Sequence, residues 1–115
     1  VKRGDIVLVK LPQPADEPGH EQVGTRPALV VQNDASGKSF SVVMIVPFTS
    51  NLNAQRFQHT ILIEPSKENG LSVTSVLLVF QLRAIDKQRI TKKIGRLENE
   101  LMEKVNQEMK KLLGL

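Results

Sequence analysis

Five short apolar runs punctuate the first two thirds of the chain: Ile6-Val7-Leu8-Val9, Ala28-Leu29-Val30-Val31, Val42-Val43-Met44-Ile45-Val46, Ile61-Leu62-Ile63 and Val76-Leu77-Leu78-Val79-Phe80. Each is rich in β-branched residues and bounded by turn formers, so each predicts a strand. The runs are unbroken rather than alternating, which implies burial on both faces. Parallel pairing would need crossovers of about a dozen residues or more. The connections Ala35-Ser36-Gly37-Lys38 and 49–56 are too short for that. Antiparallel pairing in a small closed barrel fits better, with the inner face filling a core and the outer face needing a cover. The period changes after residue 96. Leu97, Leu101, Val105, Met109 and Leu112 recur at helical spacing, Met102 and Leu113 widen the stripe, and Glu98, Glu100, Glu103, Lys104, Glu108, Lys110 and Lys111 fill the other positions. Acids lead, lysines follow, and Gly114 sits where a C-terminal cap belongs. The expected architecture is one mainly β domain over 1–115, with a strand-rich body to about residue 96 and a helix over about 97–113. That helix and a second subunit are the expected covers.

Size agrees with a single core: 115 residues are enough to bury about two thirds of the extended surface once, and not twice. No apolar run approaches the roughly 18 residues that cross a membrane, and the opening Val-Lys-Arg-Gly-Asp lacks the features of a secretory leader. No membrane partner and a cytoplasmic setting are therefore expected. The absence of cysteine removes disulfides, thiolate nucleophiles and sulfur-ligated zinc. Charge is unevenly spread. Residues 1–96 hold thirteen Lys/Arg against eight Asp/Glu, a net of +5, whereas 97–115 hold three against four, a net of −1. Arg83, Lys87, Arg89, Lys92, Lys93 and Arg96 are opposed within their own stretch only by Asp86. That stretch is either a phosphate-facing surface or an ordinary solvated run of charge.

Several motifs fail on inspection. Gly19-His20-Glu21-Gln22-Val23-Gly24 has the glycine spacing of a phosphate-binding loop, but Thr25-Arg26 stands in place of Lys-Ser/Thr and no helix pattern follows. Arg3-Gly4-Asp5 reads as a lead-in to the first strand. His20 and His59 are far apart, with no carboxylate at ligand spacing, so neither a metal nor another cofactor is expected. No Ser-His-Asp arrangement supports acyl transfer. Two features remain. The link from Pro12 to Thr25 is far longer than the ~2–5 residues of a hairpin. Arg26 follows it and precedes proline, which holds it extended at the mouth of the second strand. Pairing of strands two and three would bring Arg26 and Thr49, which ends the third strand, to one rim beneath that loop. A permanent bidentate cation beside a hydroxyl suits a phosphodiester. Spacing alone equally allows a surface arginine and a strand-ending threonine.

The segments Lys2-Arg3-Gly4-Asp5-Ile6-Val7, Gly19-x-Glu21-Gln22-x-Gly24-x-Arg26-Pro27, Val46-x-x-Thr49 and Gln81-x-Arg83-x-Ile85-Asp86-Lys87-Gln88-Arg89, taken in order, resemble the MazF/PemK endoribonuclease toxins. The resemblance spans nearly the whole chain. It implies an SH3-like antiparallel barrel with a C-terminal helix, a fold shared with CcdB. It also implies a homodimer, neutralisation by a cognate antitoxin, and metal-independent, sequence-specific cleavage of single-stranded RNA. Arg26 and Thr49 match the catalytic pair of one branch of that family. The branch that uses an aspartate just before Gln-x-Arg is not matched, because that stretch here reads Leu78-Val79-Phe80.

RNA carries its own nucleophile, the 2′-hydroxyl, so such a chain can cut without a metal and should ignore DNA. The expected roles are charge stabilisation by Arg26 and phosphate positioning by Thr49, with Ser50 as a partial substitute. Glu21 and His20 are candidate helpers. Expected RNA contacts are Glu21, Gln22, Asn33, Ser50, Gln81, Arg83 and Arg89, with Asn51, Asn53 and Gln55 as further readers of base edges. Of the aromatics Phe40, Phe48, Phe57 and Phe80, most are expected in the core. The alternative reading is a noncatalytic CcdB-like barrel that binds gyrase or nucleic acid.

Overall fold

The computed structural model describes residues 1–11, 25–34 and 40–115. Among these residues seven antiparallel strands form the body: β1 (Asp5–Lys10), β2 (Thr25–Val30), β3 (Val42–Thr49), β4 (Thr60–Ile63), β5 (Ser75–Leu78), β6 (Arg83–Asp86) and β7 (Ile90–Arg96). The helix α1 (Asn99–Leu113) follows them. The strand order is β4-β5-β3-β2-β1-β7, with β6 also on β3. The five apolar runs all fall on strands, and β6 and β7 add two that their charge conceals. The last run is cut short, since Val79–Gln81 turns into a 3-10 helix after β5.

The expected closure into a ring does not occur. Among the described residues no ladder joins β6 to β7, which pair with β3 and β1 respectively. The reason is the link between them, a 3-10 turn over Lys87–Arg89 whose first turn is capped by Asp86 accepting from the Gln88 N–H at 2.8 Å. It carries the chain across the gap instead of folding it back as a hairpin.

Alternation along β1–β3 explains why both faces are apolar. Val7, Val9, Ala28, Val30, Val43, Ile45 and Ile85 form one buried cluster on the inner face of the curled sheet, with Leu11 and Ile90 packed against it. Ile6, Leu29, Val46 and Phe48 point the other way, toward Ile63 and Leu77 of β4 and β5 and toward Leu97 and Val105 at the helix. The helix is the expected outer cover. Leu101, Met102, Met109 and Leu112 pack on that second core, and Gly114 ends the helix in the left-handed conformation with φ 71°. Arg3-Gly4-Asp5 does lead into β1. The Asp5 side chain is buried between Lys93 and Arg96 of β7, each 3.2 Å away.

Candidate active site

The register of β2 on β3 sets Ala28 opposite Pro47, Leu29 opposite Val46 and Val30 opposite Ile45. Continued two residues toward the strand ends, it sets Arg26 opposite Thr49. Directly opposed residues share a face of an antiparallel pair, so both side chains belong to one side of the sheet. They line a cleft of about 430 Å³ together with Thr25, Pro27, Ser50, Asn51 and Ser72. Sequence spacing suggested this meeting, and the fold delivers it.

Each group is placed for donation. Arg26 is exposed, and among the described residues its guanidinium has no hydrogen-bond or ion-pair partner. The Thr49 hydroxyl oxygen accepts the Asn51 backbone N–H at 3.2 Å, which fixes the oxygen and leaves its own proton free to donate. The Asn51 side-chain oxygen accepts the Asn53 backbone N–H at 3.1 Å, where it caps the 3-10 helix Leu52–Arg56. Its amide N–H groups are left for a ligand. The described lining contains no carboxylate or imidazole, so these walls offer hydrogen-bond donors and one fixed positive charge.

The opposite wall was not read from sequence. Leu71, Ser72 and Val73 come from the link between β4 and β5, and Ser75 opens β5. Asn69 builds it. Fully buried, its side-chain oxygen accepts from the Ser66 and Leu71 N–H groups, both at 3.0 Å, and its amide donates to the Glu64 carbonyl at 2.9 Å. The same turn locks onto β7, where Arg96 N–H donates to Glu68 O at 2.8 Å. A Cβ on Gly95 would lie 2.3 Å from the Asn69 backbone, and one on Gly70 2.0 Å from the Ile94 carbonyl oxygen. Only two glycines permit that approach. A buried asparagine and a glycine pair leave no local motif, and the contacts that give them meaning are distant in sequence.

The remaining expected contacts divide. Ser50 lines the cleft. Arg89 donates to the Lys10 carbonyl at 3.3 Å, and Lys10 lies opposite Thr25, so Arg89 and Lys10 share the Arg26 end of the sheet. Arg83 is exposed but opposite Ile45, roughly 13 Å along β3 from Thr49 at ~3.3 Å per residue. Gln81 is exposed just beyond the far end of β5. Asn33 follows the other end of β2 and lines a separate groove with Lys2, Gln32 and Lys87. Glu21, Gln22 and His20 lie outside the described residues, as does most of the long link from Pro12. The basic stretch is partly spent, because Lys93 and Arg96 serve Asp5. The aromatic expectation needs correcting too. Phe48 alone of the four is buried, Phe80 is half-buried, and Phe40 and Phe57 are 54% and 47% exposed.

A family profile described as PemK-like, MazF-like toxin of type II toxin-antitoxin system matches residues 2–113. The chain is 36% identical over 115 residues to the endoribonuclease EndoA of Bacillus subtilis, covering all of this chain and 96% of that one. Its structure superposes on MazF from Deinococcus radiodurans with a TM-score of 0.76 at 26% identity, covering 100% and 97% of the two chains. A mycobacterial endoribonuclease in complex with its cognate antitoxin shares the fold at a TM-score of 0.77 and 22% identity, covering 100% and 96%.

Proposed function

The chain belongs to the PemK-like, MazF-like toxins of type II toxin–antitoxin systems and is an endoribonuclease, and from that premise we propose that it cleaves single-stranded RNA at the cleft between Arg26 and Thr49. The observation that carries the assignment is a guanidinium with no partner among the described residues, sharing a cleft with a hydroxyl whose oxygen is pinned.

In the proposed reaction the substrate's 2′-oxygen attacks the adjacent phosphorus while the bond to the 5′-oxygen breaks. The 2′-hydroxyl loses its proton and the departing 5′-oxygen gains one. The products are a 2′,3′-cyclic phosphate, which water can open to a 3′-phosphate, and a 5′-hydroxyl. A guanidinium offers N–H donors and no acceptor, so Arg26 is not the proton acceptor. Its work is electrostatic, since two of its N–H groups can bridge phosphate oxygens as their charge grows. Thr49 donates to a phosphate oxygen and holds the group for in-line attack. Ser50, Asn51 and Ser72 supply further donors along the strand, and Lys10 and Arg89 extend positive charge past the rim. The reading places the enzyme in the cytoplasm, where messenger RNA is open to it, and under the control of a cognate antitoxin. A homodimer would cover the apolar groove of about 460 Å³ between β3 and α1, where Phe40, Val42, Met44, Leu82 and Met109 meet.

The test is incubation with a mixed-sequence RNA and its DNA equivalent in excess EDTA, wild type beside Arg26→Ala, with the new ends mapped. Discrete RNA-only cuts bearing 5′-hydroxyl ends, absent in the variant, are the expected result. Intact RNA would transfer the assignment to a noncatalytic barrel that binds gyrase or nucleic acid.

A further inference from the structure

A second feature lies on the Thr49 side of the sheet. Thr49 is opposite Val76 in the β3–β5 ladder, so the two share a face, and Leu78 follows on that face at the strand period. Val76 and Leu78 cluster with Ala54 of the 3-10 helix Leu52–Arg56 and with Phe80. That helix is capped by Asn51, on the cleft wall, and ends at an aromatic pair. The Phe57 and Phe80 rings have centroids 5.5 Å apart at an interplanar angle of 56°. The Arg56 guanidinium lies 4.9 Å from the centre of the Phe57 ring.

The group is held in place before any ligand arrives. Phe57 N–H donates to Ala54 O at 3.1 Å, and the Phe57 carbonyl accepts the Thr60 hydroxyl at 3.0 Å. His59 turns the chain back in the left-handed conformation at φ 59°, anchored by its ring nitrogen 3.3 Å from a Glu108 oxygen of α1. Its carbonyl accepts the Phe80 N–H at 3.3 Å, which binds the two aromatic segments together. Despite this anchoring, Phe57 remains 47% exposed. A half-bare aromatic with a cation on one side, fixed on the face that leads from the cleft, suits a nucleotide base better than a packing role.

We propose that Arg56, Phe57 and Phe80 form a base-stacking subsite for a nucleotide flanking the scissile bond of single-stranded RNA. The proposal rests on the ribonuclease reading above and adds where the strand runs after Asn51. From Ser75 at the cleft to Phe80 the wall extends about 14 Å, at ~3.3 Å per strand residue and ~2 Å per 3-10 residue, a span of a few nucleotides. Phe57 is a positioning residue. It grips the strand and leaves the phosphate chemistry to the cleft.

The experiment takes an RNA oligonucleotide around one cut mapped for the wild type and replaces each flanking base in turn by an abasic site. KM and kcat are then measured for wild type, Phe57→Ala and Phe57→Trp. Binding is read separately with the same oligonucleotide made uncleavable by 2′-deoxy substitution at the scissile nucleotide. Phe57→Ala should raise KM and Kd about tenfold with kcat nearly unchanged, and Phe57→Trp should restore both. At one flanking position the abasic substrate should abolish the difference between wild type and Phe57→Ala. Equal Kd values for the two proteins on every oligonucleotide, with wild-type cleavage intact and both proteins folded by circular dichroism, would overturn the subsite. Such an outcome would make the aromatic pair a protein-docking surface. A wild type that cuts no RNA would instead defeat the ribonuclease reading itself, a result the first arm reports independently.

Discussion

The two walls of the cleft are built on opposite terms. On the Asn69 side every side-chain polar atom of the buried asparagine has a partner, and backbone meets backbone so closely that Gly70 and Gly95 admit no side chain. On the Arg26 side the groups are exposed and underused: a guanidinium with no partner among the described residues and a hydroxyl with a proton to spare. The first wall contributes stability because its hydrogen bonds are complete, and the second can bind because its donors are not. Changes on one wall should therefore alter folding, and changes on the other should alter turnover.

The largest separation is expected from Arg26→Ala. Removing the fixed charge at the phosphate should lower kcat by about 10²–10³, the loss that follows deletion of one transition-state donor. The exposed position leaves the melting temperature close to wild type, so activity and thermal unfolding measured on one sample should part company. Gly95→Ala should do the reverse. A methyl group 2.3 Å from the Asn69 backbone cannot be accommodated by rotating a side chain, so strand and turn must separate. Overpacking of this kind costs about 3 kcal/mol, or roughly 10 °C in Tm for a chain of this size. Below the transition the activity per folded molecule should fall far less than in Arg26→Ala. A Gly95→Ala protein with wild-type Tm would remove the claim that this wall is tightly built.

The asymmetry also governs what sequence alone disclosed. The strands of the two cores were visible because Ile6–Val9, Ala28–Val31 and Val42–Val46 are apolar on both sides, and the helix because its stripe keeps one period. Arg26 and Thr49 could be brought together by counting along two strands that lie close in sequence. β6 and β7 escaped notice because they are edges. Ile90 and Ile94 are their chief apolar markers in β7, separated by Thr91, Lys92 and Lys93, a charge pattern that protects an edge from unwanted pairing and reads locally as loop. The Asn69 wall escaped for a different reason. A buried asparagine looks like any turn residue until the Glu64 carbonyl and the Ile94–Gly95 backbone are known to surround it.

A smaller effect on the catalytic wall tests whether Thr49 acts through its hydroxyl. Thr49→Val keeps the branched shape and removes the donor, and should lower kcat/KM about tenfold, the scale of one hydrogen bond. Thr49→Ser keeps the donor and should stay within a few-fold of wild type. If the two variants are equally impaired, packing of the methyl group rather than donation to phosphate explains the residue, and the role assigned to it fails.

The smallest effect belongs to Asp5→Asn and depends on pH. Burial pushes the Asp5 carboxyl up, but the Lys2 N–H at 2.7 Å and the Lys93 and Arg96 cations outweigh it and hold the group below the usual carboxylate range. The unfolded chain, with Asp near its ordinary value of ~3.9, then binds a proton more readily than the folded one. Ionised Asp5 therefore contributes its full stabilisation above that value, and the contribution drains away as pH falls through the lower folded-state value. Asn keeps the shape and can still accept the Lys2 N–H, so only the charge-dependent part is lost. Near neutrality Asp5→Asn should be less stable by about 1 kcal/mol, because both cations are about half exposed and their attraction is screened. In urea unfolding at a series of pH values the gap between the two proteins should narrow steadily below about pH 4. A constant gap from neutral to acid would mean that shape and not charge matters at this position. The same substitution releases Lys93 and Arg96 without touching the catalytic wall, so kcat should stay unchanged and RNA affinity should not fall. A loss of turnover at wild-type stability would break the division between the two walls.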